Sequence, residues 1–141
     1  MHAINFPPRT RLAELPTPVQ ELPSLSSALG RRLRIKRDDL TGLALGGNKA
    51  RKLEFVLAEA RANAARSVVT VGAIQSNHCR QTAAAAARFG MDCILVLGGE
   101  QPTSPSANLL LDRLFGTEIV WPTMAERTTT LKNTFQQAWD T

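Results

Sequence analysis

Residues 67–97, SVVTVGAIQSNHCRQTAAAAARFGMDCILVL, contain the clearest alternation of predicted strands and helices in the chain. Ser67–Val71 is rich in β-branched residues, which predicts a buried strand. Asn77–Phe89 predicts a helix, because it is rich in alanine and Gly90 follows it at the position where helices commonly end. Cys93–Leu97 predicts a second buried strand. Strands that alternate with helices in this way indicate an α/β fold with a parallel sheet covered on both faces.

The same alternation continues on both sides of this stretch. The further predicted elements are a strand at Leu33–Lys36, a helix at Lys49–Asn63, a helix at Pro105–Phe115, a strand at Glu118–Trp121 and a weaker helix at Thr128–Trp139. Ser104 is the expected cap of the helix that begins at Pro105. Five prolines within the first 23 residues predict an extended arm with turns, since proline has no amide donor and a fixed φ.

The composition limits the class of protein. The chain has 141 residues, which suffices for one domain, or for one domain and part of a second. The longest strongly apolar stretch is too short to cross a bilayer, so no membrane partner is expected. Two cysteines cannot build a disulfide framework and the N-terminus lacks a secretory signal, so a cytoplasmic location is expected. The chain stops at Thr141 directly after an apolar helical stripe, which indicates truncation.

The net charge of +5 comes largely from one basic run, which comprises Arg31, Arg32, Arg34, Lys36 and Arg37. Such a run is typical of a module that binds anions or nucleic acid. It also fits an exposed strand edge, on which Leu33 and Ile35 alternate with basic residues. The second interpretation is favoured because no aromatic residue lies within the run and no nucleic-acid motif follows it. No nucleic-acid partner is therefore expected.

Residues 46–54, GGNKARKLE, form the first candidate site. The two glycines permit a sharp turn and a close approach to a ligand, and Asn48 is a good cap for the following helix. Lys49 shares one helical stripe with four apolar residues, which are Leu53, Val56, Leu57 and Ala60. Partial burial and the positive helix end both favour a neutral amine, which can attack an aldehyde and form a Schiff base. Lys49 could instead reach the rim of the core or pair with Glu54.

Residues 72–78, GAIQSNH, form the second candidate site, between a predicted strand and a predicted helix. Ser76 or Asn77 can cap that helix, and its first free amides can bind a carboxylate or a phosphate. Ser76 could also act as a nucleophile or proton carrier if His78 or Lys49 served as its base. Helix capping alone is a sufficient explanation of this segment when it is considered by itself.

The remaining signals concern the position of a ligand and the presence of a metal. Ligands of open parallel sheets bind beyond the carboxyl ends of the strands, which points to the loops at 72–77 and 98–104. Cys79 and Cys93 are expected to be small core residues. With only two histidines in the chain they do not assemble a convincing zinc site, so no metal is predicted.

Together, the two candidate segments resemble a known family. The matching segments are residues 35–60, IKRDDLTGLALGGNKARKLEFVLAEA, and residues 68–97, VVTVGAIQSNHCRQTAAAAARFGMDCILVL. They resemble the pyridoxal-phosphate enzymes of the D-cysteine desulfhydrase and 1-aminocyclopropane-1-carboxylate deaminase family. The resemblance extends from about Phe6 to Trp121 and implies a tryptophan-synthase-β-like fold, also called fold type II.

The resemblance implies a role for five residues. Lys49 would carry the pyridoxal phosphate as an internal aldimine, and Asn77 would bind the pyridine 3-hydroxyl. Lys52 would lie near the phosphate or the rim of the site. Ser76, Asn77 and His78 would present the helix start to the carboxylate of a small amino-acid substrate. Ser76 would also take part in the chemistry at the substrate.

The resemblance further implies a domain division and a truncated chain. Residues 1–48 would form an arm and a strand of the large domain, and residues 49–141 would form the small, open parallel-sheet α/β domain. The remainder of the large domain would be absent, and with it a glycine-rich phosphate-binding loop and tyrosines near the substrate. The isolated chain is therefore expected to be inactive or nearly so. A homodimer is expected for the full-length family member.

The expected reaction follows from one position within the resemblance. The deaminases carry glutamine after the Ser-Asn pair, whereas this chain has His78, as the desulfhydrases do. The resemblance therefore favours α,β-elimination of D-cysteine to pyruvate, sulfide and ammonia. The alternatives are a 1-aminocyclopropane-1-carboxylate deaminase and a cysteate sulfo-lyase.

Overall fold

A computed structural model describes residues 5–123 and 125–140. The first four residues of the predicted arm and Thr141 lie outside the described residues. The strands are β1 (Val19–Glu21), β2 (Arg34–Lys36), β3 (Ser67–Ala73), β4 (Asp92–Gly98) and β5 (Glu118–Val120). The helices are α1 (Pro23–Leu29), α2 (Lys49–Ala62), α3 (Asn77–Arg88), α4 (Ala107–Leu114) and α5 (Arg127–Asp140), and two short 3₁₀ turns lie at Asp38–Leu40 and Leu43–Leu45.

The main sheet is parallel, with the strand order β3-β4-β5. Val69 lies opposite Ile94, and Leu95 lies opposite Ile119. α3 connects β3 to β4, and α4 connects β4 to β5. The predicted α/β fold with a parallel sheet is therefore confirmed, because each apolar strand is followed by the helix that covers it.

α3 lies at the centre of the core and packs on two sides. Its residues Cys79, Ala83 and Ala86 belong to a cluster that contains Cys93, Leu95, Leu97 and Leu109. Its residue Ala85 belongs to a second cluster, with Leu12, Leu53 and Leu57. Small side chains on several faces of one helix allow a sheet and other helices to approach closely. The alanine run therefore makes α3 the central helix of the fold.

Both cysteines lie in this core, as predicted. Cys79 and Cys93 are buried in the same cluster and are not joined by a disulfide. Burial raises the pKa of the Cys93 thiol to about 12, and it also raises the pKa of the Cys79 thiol. Both side chains are thus neutral, unreactive core residues at neutral pH.

The basic run lies on a small antiparallel sheet at the surface. β1 pairs with β2, and every residue of both strands is exposed. Arg32 forms an ion pair with Glu21 at 2.6 Å, and Arg37 forms one with Asp39 at 2.5 Å. The Lys36 ammonium donates to a backbone carbonyl. These contacts confirm the interpretation of the run as an exposed strand edge whose charges are partly paired.

The predicted arm contains a helix that the sequence analysis missed. α1 spans Pro23–Leu29, with Pro23 at the start and Gly30 in a left-handed conformation after the end. Proline at the start and glycine after the end are recognised helix boundaries, so a local signal was present. The helix has only seven residues and none is buried, so it lacks the apolar stripe on which the prediction relied.

The predicted start of the helix after β4 is wrong by two residues. The helix begins at Ala107, and Ser106 rather than Ser104 precedes it in an extended conformation. The reason is a tertiary contact made by Gln75. Its side chain accepts from the Asn108 amide at 2.9 Å and donates to the Ser106 carbonyl at 3.2 Å. An amide side chain from another loop therefore caps α4, in place of a serine from its own sequence.

The predicted last helix is present as α5, and it lies on the sheet and leaves aromatic residues exposed. α5 packs on β3 and β4. Phe135 and Trp139 are 54% and 76% exposed, and their ring centroids lie 6.0 Å apart. They line a groove of about 660 Å³ between α2, β3 and α5. Among the described residues, no helix combines the length and apolar character that a membrane span requires.

Asp112 is a buried carboxylate on the inner face of α4. Its side chain is fully buried, and neither of its oxygens accepts a hydrogen bond from the described residues. Burial raises its pKa to about 6, although the charge of Arg80 acts in the opposite direction. A pKa above the ordinary value of 3.8 means that the folded state binds the proton more tightly than the unfolded state.

We predict that this carboxylate destabilises the fold as the pH rises from 4 to above 6. Its contribution to the free energy of unfolding is largest below its unfolded pKa and declines until the folded pKa of about 6 is passed. Asp112→Asn has no such titration, so its stability relative to wild type should increase by about 2 kcal/mol over that range. Urea unfolding at a series of pH values measures this difference. The matched control is Asp92→Asn, which changes an exposed aspartate at the start of β4, and equal pH slopes for wild type and Asp112→Asn would contradict the prediction.

Candidate active site

The Gly46–Gly47 loop has a conformation that excludes side chains. Gly46 has φ 72° and Gly47 has φ 129°, both in the region that favours glycine. A Cβ on Gly46 would lie 1.9 Å from the carbonyl oxygen of Asp39, and a Cβ on Gly47 would lie 2.4 Å from Nε2 of Gln81. The predicted sharp turn is therefore confirmed, and here the close approach is to the rest of the chain.

Two side chains of α3 hold this loop. The Gly46 carbonyl is buried and accepts from Arg80 Nη2 at 2.7 Å and from Gln81 Nε2 at 2.9 Å. The hydroxyl of buried Thr41 donates to the Gly47 carbonyl and accepts from the Gly47 amide, each at 2.8 Å. The loop that precedes Lys49 is therefore fixed directly to α3, the helix that begins at the end of the second candidate segment.

The predicted cap at Asn48 is wrong. Asn48 occupies the position before α2, but its side chain accepts no hydrogen bond from the helix start. The Ala50 amide instead donates to Gln81 Oε1 at 2.7 Å. A residue from α3 has thus replaced the local cap, and the same carboxamide binds both the loop and the helix that follows it.

The prediction that Lys49 shares a helical stripe with buried apolar residues is confirmed in part. Lys49 is the first residue of α2 and is half-buried, while Leu53 and Leu57 lie in the core. Val56 differs from the prediction, because it is 57% exposed and lines the groove beside α5. Lys49 therefore lies at the edge of the core, in line with its two leucines.

The alternative pairing of Lys49 with Glu54 is wrong. Glu54 is buried and accepts from the backbone amides of Leu12 and Ala13 at 3.1 and 3.0 Å. Its second oxygen lies 3.5 Å from a nitrogen of Arg9. Glu54 therefore fixes the N-terminal arm to α2. Among residues 5–123 and 125–140, no carboxylate pairs with Lys49.

The start of α3 is capped by Ser76, as predicted. Ser76 Oγ accepts from the Cys79 amide at 3.3 Å, and the Ser76 carbonyl accepts from the Arg80 amide at 3.1 Å. The amides of Asn77 and His78 are the first two of the helix and have no acceptor within it. These free amides lie where an anion-binding helix start is expected, and anion binding there stays a prediction.

His78 connects this turn to the two lysines of α2. Its Nε2 lies 3.0 Å from the hydroxyl of Thr70, and its ring is half-buried. Burial lowers the pKa of His78, and the nearby positive charges of Lys49 and Lys52 lower it further. His78 thus lies within electrostatic range of Lys49 and Lys52. The structure pairs His78 with Thr70, however, and not with Ser76 as a base.

The loops at 72–77 and 98–104, which are expected to lie beside a ligand, meet at the carboxyl ends of the parallel strands. Ala73 at the end of β3 lies opposite Gly98 at the end of β4. A Cβ on Gly99 would lie 2.9 Å from the side chain of Ile74, so the loops are in close contact. The described residues contain no group of three His, Cys, Asp or Glu side chains that could hold a metal ion.

The sequence analysis missed the polar side chains that assemble this region. Arg80 and Gln81 hold the Gly46 loop, and Asn108 donates to Asn77 Oδ1 at 2.9 Å. A signal for Arg80 and Gln81 was present, because they follow Asn77 at i+3 and i+4, next to a run of buried alanines. Polar side chains on a buried helical face require polar partners.

The family model described as "Pyridoxal-phosphate dependent enzyme" matches residues 10–138. The chain belongs to this family. Its relatives include D-cysteine desulfhydrases of Salmonella paratyphi B and Salmonella newport, each 48% identical over 126 residues, or 84% of this chain. The chain spans only 38% of the length of these curated relatives.

Solved structures of pyridoxal-phosphate enzymes share this fold. A homologue of 1-aminocyclopropane-1-carboxylate deaminase aligns over 82% of this chain and 35% of its own, with TM-score 0.77 and 46% identity. A pyridoxal 5'-phosphate-dependent aspartate racemase aligns over 86% and 37%, with TM-score 0.68 and 24% identity, and shows the fold alone. The predicted family, cofactor class and type II fold are confirmed. The chain corresponds to an N-terminal portion of these longer pyridoxal-phosphate enzymes.

We predict that Gly46→Ala destabilises the chain far more than Gly30→Ala. Both glycines have positive φ, so both variants incur the left-handed strain of about 1–2 kcal/mol. Only at Gly46 does the added Cβ overlap a backbone carbonyl, whereas at Gly30 nothing lies within 4 Å. The overlap should cost at least about 2 kcal/mol more in the free energy of unfolding. Urea unfolding measures the difference, and equal losses in both variants would show that the Gly46 turn is not constrained as described.

Proposed function

We propose that this chain supplies the aldehyde-binding lysine and the substrate-binding helix start of a D-cysteine desulfhydrase. The observation that carries the proposal is the attachment of the Gly46 loop and the first turn of α2 to α3, which keeps the backbone of Lys49 near that helix. A second support is the 48% identity to D-cysteine desulfhydrases. In this proposal residues 1–48 belong to the large domain, and residues 49–141 form the small domain.

The residues present suit pyridoxal phosphate. Lys49 is a half-buried residue whose amine has no carboxylate partner among the described residues, and an amine is the group that binds an aldehyde. The start of α3 offers the free amides of Asn77 and His78 to an anionic group. Lys52 is exposed on the next turn of α2, where its charge can face a phosphate at the rim. When bound, the cofactor supplies an electron sink for a carbanion at the substrate Cα.

The side chains then have separate tasks. Lys49 Nζ would hold the aldehyde of the cofactor, and its free amine would accept the proton from the substrate Cα. Asn77 donates to the ring oxygen, and the helix start orients the substrate carboxylate. His78 remains neutral at pH 7 because its pKa is lowered, so it can donate or accept a hydrogen bond without adding charge. Ser76, the cap of α3, lies at the substrate end of the same turn.

D-cysteine is the proposed substrate, with sulfide as the leaving group and pyruvate and ammonia as the final products. His78 after the Ser-Asn pair and the names of the curated relatives support this choice. 1-Aminocyclopropane-1-carboxylate and cysteate are the alternative substrates, and the first is supported by the deaminase homologue among the solved structures. We also propose that the full-length enzyme is a cytoplasmic homodimer and that the 141-residue chain alone is inactive or nearly so.

We predict that pyridoxal phosphate forms a specific adduct with Lys49. The chain contains four lysines, and only Lys49 is placed beside the α3 start and half-buried. Borohydride reduction followed by peptide mapping should find most of the label on Lys49, and little on exposed Lys132, which is the internal control. Label spread evenly over the four lysines would contradict the proposed site.

The substrate is tested with a chimaera. This chain replaces the matching N-terminal portion of the Salmonella D-cysteine desulfhydrase, so that the remaining domain is restored. The chimaera should release sulfide from D-cysteine, and its Lys49→Gln variant should lose at least about 10³-fold in rate, as expected for loss of a group that both binds the aldehyde and moves the proton. Preferential turnover of 1-aminocyclopropane-1-carboxylate or cysteate would overturn the choice of D-cysteine.

A further inference from the structure

Arg80 joins three separate segments of the chain. It is buried on α3, and its Nη2 donates to the Gly46 carbonyl at 2.7 Å. Its Nη1 donates to Asn77 Oδ1 at 3.0 Å and to Asn108 Oδ1 at 2.9 Å. One guanidinium therefore contacts the loop before Lys49, the start of α3 and the start of α4.

These contacts fix which way two carboxamides face. A guanidinium only donates hydrogen bonds, so the atoms of Asn77 and Asn108 that face Arg80 must be oxygens. Asn108 consequently directs its Nδ2 to Asn77 Oδ1 at 2.9 Å and to the Gln75 carbonyl at 2.8 Å. With two donors on its oxygen, Asn77 retains Nδ2 as a donor that no acceptor among the described residues occupies.

We propose that Arg80 is a positioning residue that makes Asn77 present a hydrogen-bond donor, rather than an acceptor, to an anionic ring oxygen of the bound ligand. This inference rests on the proposed function, in which the ligand is pyridoxal phosphate and the oxygen is its 3-oxygen. Through its bond to Gly46, the same guanidinium also sets the distance between this donor and Lys49.

The orientation matters because the two ends of a carboxamide have nearly the same shape and opposite polarity. If Asn77 turned over, its oxygen would face the ligand oxygen, and the two would repel each other. A hydrogen bond to a charged group strengthens binding by about ten- to a hundredfold. Loss of Arg80 should therefore reduce binding of a ligand with the 3-oxygen more than binding of one without it.

The test compares wild type, Arg80→Lys and the matched control Arg88→Lys, which changes an exposed arginine of the same helix. Before any ligand is added, NMR relaxation measures the order of the Asn77 side-chain amide. The dissociation constants at Lys49 are then measured for pyridoxal phosphate and for its analogue that lacks the 3-hydroxyl. The ratio of the two constants removes any effect that weakens both ligands equally.

We expect a rigid Asn77 amide in wild type and in Arg88→Lys, with an order parameter of about 0.85. In Arg80→Lys the order parameter should fall below about 0.6. The preference for the 3-hydroxyl ligand should fall about tenfold or more in Arg80→Lys only. If Arg80→Lys does not fold, Asn108→Ala removes one donor from Asn77 Oδ1 and should show a smaller loss of the same preference.

Two results would overturn the role of Arg80. One is a mobile Asn77 amide in wild type, and the other is an unchanged ligand ratio in a folded Arg80→Lys chain, which would make Arg80 merely structural. Failure of the proposed function looks different. In that case neither aldehyde binds at Lys49 in wild type, while the Asn77 amide is rigid and loosens in Arg80→Lys, which supports the orienting role by itself.

Discussion

The buried carbonyl of Gly46 is the acceptor on which the rest of the site depends. It receives one hydrogen bond from Arg80 and one from Gln81, which are neighbours on α3. A buried carbonyl left without its donors costs about 1–3 kcal/mol, so the loop has a strong reason to remain at α3. Lys49 follows three residues later and begins α2. The position of its backbone is therefore determined by contacts that Lys49 itself does not make.

The alanine run of α3 makes these contacts possible. Side chains no larger than a methyl group let the sheet, α2 and the N-terminal arm approach this helix closely. Long polar side chains at the first turns of α3 can then reach neighbouring backbones. Gln81 accepts a hydrogen bond from a backbone amide at the start of α2. Gln75, in the loop before α3, accepts one from a backbone amide at the start of α4. α3 and the turn before it thus supply the hydrogen-bond acceptors for the first turns of α2 and α4.

The sequence predicts the alternating strands and helices well because their signals are local. The strands at 67–71 and 93–97 lie within β3 and β4, and the helix at 77–89 agrees with α3 to within one residue. The parallel arrangement follows from their alternation alone. The placement of Lys49 on a partly buried stripe is also local, since it depends only on helical spacing. Membership of the family follows from the resemblance and not from these patterns.

The helix caps show where local reasoning fails. Asn48 and Ser104 have suitable chemistry for caps, yet distant glutamines take both roles. Such a cap depends on tertiary contact between segments about thirty residues apart, which no sequence window contains. Arg80 was missed for a related reason, because an arginine in a helix is normally attributed to its solvent-exposed face. The adjacent alanine run gives a signal that this face is buried, and the packing of α3 on two sides shows it.

Hydrogen exchange at the Ala50 amide measures whether α3 holds the start of α2. This amide belongs to the first turn of α2, where no intrahelical acceptor exists, so protection there reports on Gln81 alone. We expect Ala50 to exchange much more slowly than the amides of Lys49 and Arg51 in the same turn. Exchange of all three amides at similar, unprotected rates would show that α3 does not hold the start of α2, and that the site is not assembled in this way.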